Sequence, residues 1–421
     1  MPHSFITLLF AGALSAALVV QAAQGVRPDV GLPLQQAGEL VHAQRFKEAL
    51  AKVREADAVG GKTADESHLV ERMRIAAASG AGDVETAARS FDAVSARVSA
   101  AERLQMIESL AGACYRAGKH LQAMQWGQRY FKEGGSGSAV RMLLIQSQYL
   151  TGDFQGAARE LTTEIQQTEK SGRAPGEDRL KLLANAALKV NDTPTYVYAL
   201  ERLVRHYPKK EYWIDLLGRL QRKPNFSDRL ALDTYRLSLA TGGMGPSRTP
   251  PENGPVPAAE RSTSRQANDY MEMAQLALQS GFPIEARHVL GKGFEAKVLG
   301  NGPEAGRHQR LKDLVDRKIE QEKAGRDAAI AQAHDAKDGT ALVNAGMNLV
   351  FHGDKAQGLQ LMQQGMAKGN FKRPEDVKLH HAIALFQAGE AGRALQTFRT
   401  VRGGDGTADL ARLWALHATG R

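Results

Sequence analysis

Apolar residues along this chain fall three and four apart in blocks of ten to twenty, the spacing that lines one face of an α-helix. The blocks come in pairs, and one pair is nearly repeated: CYRAGKHLQAMQW at 114–126 and YLTGDFQGAAREL at 149–161. Gly118 and Gly152 stand 34 residues apart, as do Ala123 and Ala157, and each glycine follows a tyrosine (Tyr115, Tyr149) by three. Glycine ends a first helix where a turn with a Cβ is costly. Alanine five residues later keeps a second helix thin where it crosses the first. Each such hairpin leaves an apolar face that only a neighbouring hairpin covers, so the phrase is written in series.

The small residue is traceable along most of the chain. It stands at Ala49, Ala87, Ala123, Ala157 and Ala199, in steps of 34 to 42 residues, and then Arg229 occupies the next such position. It resumes at Ala286, Gly358 and Ala394, with Gly281, Gly353 and Gly389 as the preceding turns. A period near 34 with this pattern is the signature of the tetratricopeptide repeat. The expected fold is therefore all-α: a solenoid of helical hairpins in two arrays, wound as a superhelix. The first array spans 23–240 and the second 267–421. Between them, 241–266 holds five prolines and four glycines and reads as a linker. Residues 303–338 carry eight Lys/Arg and eight Asp/Glu around a thin stripe of Leu311, Val315 and Ile319, which predicts a long solvated helix. ADLARLWALHATG, from Ala408, predicts a closing helix over the last open face.

Composition narrows the class. Hydrophobic content of 43% with only 6% aromatic suits a helical protein rich in Ala and Leu. Phe5 to Val20 is an apolar run short of the ~20 residues a spanning helix needs. It ends in Val20-Gln21-Ala22, which predicts a signal peptide, 1–22, cut after Ala22, with periplasmic export and no lipid anchor. The lone Cys114 falls on the inner face of a first helix, as a small hydrophobe. The chain has a net charge of +9, and Leu200 to Lys223 is one basic stretch of it, where seven Lys/Arg face three acids with Tyr207, Tyr212 and Trp213 between them. In an exported protein that stretch points to an anionic membrane surface or an acidic partner, not to nucleic acid.

Fragments that imitate chemistry fail on spacing. GGKT at 60–63 has Ala56 where a phosphate-binding loop needs glycine, and a helical pattern precedes it. GGSGS at 134–138 lacks the third glycine of a dinucleotide fingerprint. Adjacent His380 and His381 point about 100° apart on a helix and cannot chelate together. The sequence predicts no catalytic residue, no metal site and no cofactor. Candidate partner-binding positions are the first-helix residues facing away from the second helix. In the second array these are Asn268, Met271, Gln275, Asn344, Met347, Leu379 and Ile383. In the first they are Gln105, Glu108, Arg116, Met142, Gln146 and Tyr149. Met and aliphatic side chains in the second set predict a groove for an amphipathic helix or an apolar segment.

EYWIDLLGRL, DYMEMAQLALQSGFPIEA, GPEAGRHQRLKDL, RPEDVKLHHAIALFQAG and DLARLWAL resemble the periplasmic tetratricopeptide proteins ascribed to TonB systems of Gram-negative bacteria, in order over most of 33–421. The stretch around Gly245 to Ser264 is an insertion relative to them. The resemblance implies a non-enzymatic scaffold or adaptor that binds protein partners of the TonB energy-transduction machinery. The alternatives are a general factor in cell-wall or outer-membrane assembly, or an enzyme whose site bears no recognised motif.

Overall fold

The computed structural model describes residues 25–244 and 258–420 of the chain; the expected signal segment 1–22 and residues 245–257 lie outside them. The described residues contain helices and no strand. In chain order they are α1 (Pro28–His42), α2 (Phe46–Asp57), α3 (Ala64–Ala81), α4 (Val84–Val94), α5 (Ala100–Arg116), α6 (His120–Lys132), α7 (Ser138–Leu150) and α8 (Phe154–Lys170). Then come α9 (Glu177–Lys189), α10 (Thr193–His206), α11 (Lys210–Gln221), a 3-10 turn (Asp228–Leu230) and α12 (Ala231–Ala240). The rest are α13 (Ala258–Gln279), α14 (Pro283–Glu295), α15 (Ala305–Asp335), α16 (Thr340–His352), α17 (Lys355–Lys368), α18 (Pro374–Ala388), α19 (Ala391–Thr400) and α20 (Thr407–Thr419). Successive helices pack as hairpins: α1 on α2, α3 on α4, α5 on α6, α7 on α8, α13 on α14, α16 on α17 and α18 on α19. The expected all-α array of helical hairpins is the fold.

The repeated phrase has a physical account in each part. Gly118 and Gly152 take φ of 72° and 84°, a left-handed turn. Tyr115 meets His120 edge-on at 5.3 Å and Tyr149 meets Phe154 at 5.0 Å, so the tyrosine before each glycine packs on a ring just beyond it. Ala49, Ala87, Ala123, Ala157, Ala199, Ala286 and Ala394 are all wholly buried. Serine and threonine caps help begin the first helices: Thr63 with Glu66 and Ser99 with Glu102 form reciprocal capping boxes on α3 and α5.

The described chain forms two compact units. Unit 1 runs to Arg173 and takes in Asn185–Asp192; unit 2 comprises Ala174–Ala184 and the chain from Thr193 onward. The units part inside α9 and not at 241–266. In addition, α13 already begins at Ala258, within the expected linker. The prolines of 241–266 all precede Ala258, and Ala258-Ala259-Glu260 are strong helix formers.

The core of unit 1 joins Val30, Leu34, Val53, Ile75, Phe91, Ile107 and Leu110 across successive hairpins. Unit 2 joins helices far apart in sequence. Arg229, the residue found where a small one was expected, lies in the 3-10 turn and binds Asp376 through two nitrogens at 2.8 and 2.9 Å and Asp405 at 2.6 Å. Lys223 reaches Asp409 at 2.7 Å, and Arg412 pairs with Glu201. Arg236, 2% exposed, donates to both oxygens of Glu285 (2.7 and 2.6 Å) and to Asp233 (2.6 Å), beneath the rings of Phe282 and Phe351. Against burial, which raises it, the partners His380 and Arg236 hold the Asp233 carboxyl below its usual range. The closing helix α20 packs on α18 and α19 as expected, and also on α10 and α12.

Candidate binding cleft

The structure separates the sequence-predicted partner residues by polarity. Gln105, Arg116, Asn268 and Asn344 are exposed, while Glu108, Gln146, Tyr149 and Gln275 are half-buried. Met142, Met271, Met347, Leu379 and Ile383 are core residues, at most 4% exposed. The expected apolar groove of the second array is therefore packed interior. The faces of its first helices that turn away from their partners lie against other helices of unit 2, as α16 does on α18.

The basic stretch 200–223 is also largely engaged. Lys209 binds Glu177 at 2.7 Å, Lys223 binds Asp409, Arg219 lies 3.6 Å from Asp215 and Arg202 sits over the Tyr198 ring. The Tyr207 hydroxyl donates to the Pro175 carbonyl and Tyr212 to Glu177, while Trp213 is buried. The Lys209 and Tyr212 donors, with Lys181, pull the Glu177 carboxyl down to about 2. Arg205, Lys210 and Arg222 have no carboxylate partner among the described residues.

A cleft that the sequence reading did not anticipate lies in unit 1, between the second helices of two consecutive hairpins, α4 and α6. It encloses about 660 Å³ and is lined by Val84, Glu85, Ala88 and Arg89 from α4 and by Gln122, Gln125, Trp126 and Arg129 from α6. Those positions recur at helical spacing on facing stripes. Beneath them, buried Val84, Ala111, Ala113, Cys114, Ala123 and Leu143 form a small apolar cluster that Trp126 covers. Burial raises the Cys114 thiol to about 11, so at neutral pH it is a protonated core group.

The wall toward α6 is braced by ring and ion-pair contacts. Trp126 meets Phe91 edge-on at 5.3 Å, and the Arg129 guanidinium lies over both rings, 4.8 Å from Phe91 and 5.3 Å from Trp126. Arg129 in turn binds Glu133 at 2.7 Å, which Arg103 also holds at 2.7 Å. The two guanidiniums keep the Glu133 carboxyl ionised, Arg129 more than Arg103. At the mouth, Lys119 pairs with Glu85 and, together with the backbone at the start of α4, lowers its carboxyl. Among the described residues no group of three His, Cys, Asp or Glu side chains is placed to hold a metal ion, and no helix is long and apolar enough to cross a membrane.

The signal that could have located this cleft is present in the sequence. Trp126 and Val84 stand beside the crossing alanines of adjacent repeats, but only their neighbourhood in space shows that the indole is partly buried and lines a cleft. No protein-family model matches the chain, and no curated protein does. Among solved structures the chain is similar to the crystal structure of the yeast Tom70, at 12% identity over 93% of this chain and 95% of that one, with a TM-score of 0.23. The helical-hairpin fold stands on the helix order and packing of this chain itself.

Proposed function

We propose that this protein is a non-enzymatic scaffold that binds protein partners in the periplasm, serving the TonB energy-transduction system. The observation that carries the protein-binding reading is the serial hairpin plan. Buried crossing residues recur in hairpin after hairpin, so helix faces are left lining surface, and such arrays are general platforms for protein recognition. The export and TonB parts rest on the leader-like segment 1–22 and on the resemblance of EYWIDLLGRL and the stretches after it.

The test is a photo-crosslinking amino acid placed at exposed Gln105 and, separately, at exposed Asn344, in living Gram-negative cells, with mass spectrometry of the adducts. The expected outcome is capture of TonB or its ion-driven motor by a chain whose amino terminus follows Ala22. Adducts with cell-wall enzymes alone would overturn the TonB assignment in favour of an envelope-assembly factor.

A further inference from the structure

We propose that the α4–α6 cleft of unit 1 holds an acidic peptide segment of a protein partner, with a carboxylate on Arg89 and an aliphatic side chain against Val84 and Ala88. This rests on the protein-binding reading above and specifies its ligand.

The argument is the hydrogen-bonding capacity left over. Glu85 is committed to Lys119, and Arg129 to Glu133 and two rings. Asp83 is used in capping α4, accepting from the Thr86 amide at 3.2 Å. Arg89 touches only the Thr86 hydroxyl, at 3.2 Å, and forms no ion pair among the described residues, not even with Asp92 three residues on. The Gln125 amide and the Trp126 indole N–H have no partner among the described residues either, and Gln122 accepts only a thiol contact at 3.9 Å. The uncommitted groups are thus mainly N–H donors, and the uncompensated charge is positive. An occupant must supply acceptors and negative charge, which a carboxylate does in the bidentate fork that a guanidinium favours.

The rest of the lining selects a peptide over an anionic sugar. Arg129 already covers the Trp126 ring, so no bare aromatic plate remains for a sugar ring to stack on. Val84 and Ala88 instead make an apolar floor of aliphatic size. The volume lies within the range of about 300–1,000 Å³ usual for ligand sites. This cleft lies between second helices, away from the first-helix faces that carried the sequence expectation.

Trp126 makes the test direct. Trp213 and Trp414, the other two tryptophans, are 2% and 0% exposed, so ligand-dependent indole emission reports on the cleft. The full chain is titrated with synthetic peptides presenting Asp or Glu beside Leu, Val or Ile, and with the Asn and Gln counterparts of each. The expected result is a saturable emission change with acidic peptides, weakened at least tenfold by the amide counterparts and by Arg89→Gln, and partly restored by Arg89→Lys. Equal binding of the amide peptides, no saturable response to any acidic peptide, or preference for a uronic-acid oligosaccharide each overturns the proposal. A photo-crosslinker at exposed Gln125 separates the two levels. If it captures a partner in cells while acidic peptides fail, the ligand assignment alone falls; if it captures nothing as well, the protein-binding reading of this cleft falls with it.

Discussion

Unit 1 and unit 2 use the same hairpin but are held together over different distances. In unit 1 the ion pairs that join different helices span only 17 to 39 residues, among them Arg74 with Asp57, Arg72 with Glu102, Arg103 with Glu133, Lys119 with Glu85 and Arg27 with Glu66. Each stays within one hairpin or links it to the next, as expected of a one-dimensional array. Unit 2 has local pairs too, such as Lys209 with Glu177 and the buried Arg236 with Glu285, but adds pairs that span 147 to 211 residues, from Arg229 with Asp376 to Arg412 with Glu201. Unit 2 therefore depends on contacts that no nearest-neighbour repeat supplies. Its cooperativity should be greater and its tolerance of polar mutation lower.

Arg236→Ala presses hardest on that difference. Removing the cation leaves the Glu285 carboxylate buried and unpaired and Asp233 with His380 alone, an expected loss of about 3–5 kcal/mol. Urea unfolding followed by hydrogen exchange should place the loss in α12, α14 and α18 and leave α1–α8 unchanged. Equal weakening of both units would mean that the contrast between local and long-range closure is wrong.

Gly358→Ala tests the crossing residue. In α16–α17 a Cβ at Gly358 would lie 2.5 Å from the Gly346 carbonyl oxygen, and one at Gly346 would lie 2.5 Å from that of Gly358. Backbone cannot yield as a side chain does, so the substitution should cost about 1–3 kcal/mol. At Ala123 of unit 1 the same position already accommodates a methyl group, and Ala123→Gly should cost about 1 kcal/mol. A neutral Gly358→Ala in the same denaturation assay would show that this hairpin can open to the alanine spacing.

The smallest effect concerns acid. Glu66 is held down to about 2, by the Arg27 side chain first and then by the backbone amides of Thr63 and Arg27. An unfolded glutamate titrates near about 4.3, so the folded chain binds fewer protons between the two values. This contribution to unit 1 is complete above about 4.3 and is lost as pH falls toward 2. Glu66→Gln should flatten that acid slope for α1–α4 in a pH series of unfolding midpoints and leave the slope of unit 2 as it is. An unchanged slope would show that Glu66 does not carry it.

Much of the fold was legible because its signals are local. A glycine that must turn left-handed, a tyrosine that needs a ring five residues on, and an alanine at a helix crossing are neighbours in sequence and space, so spacing alone exposed them at Gly118, Tyr115 and Ala123. The charged helix was legible for the same reason: the Leu311, Val315 and Ile319 stripe is its buried edge. The cleft was not legible, since Arg89 and Trp126 belong to different repeats and nothing in either repeat records that one cation lacks a carboxylate.

Helix, turn and crossing were thus determined by the sequence itself, through backbone conformation and side-chain volume acting within about 40 residues. Tertiary structure alone decided which faces stay open. Counting helix positions marked Met271, Met347, Leu379 and Ile383 as groove, but whether an apolar face meets solvent or another helix depends on what the distant chain brings to it. Tertiary structure also decided where the units part. Arg229 breaks the repeat pattern because its partners, Asp376 and Asp405, arrive from 147 and 176 residues away, and attraction between charges depends on distance in space, which the order of residues does not specify.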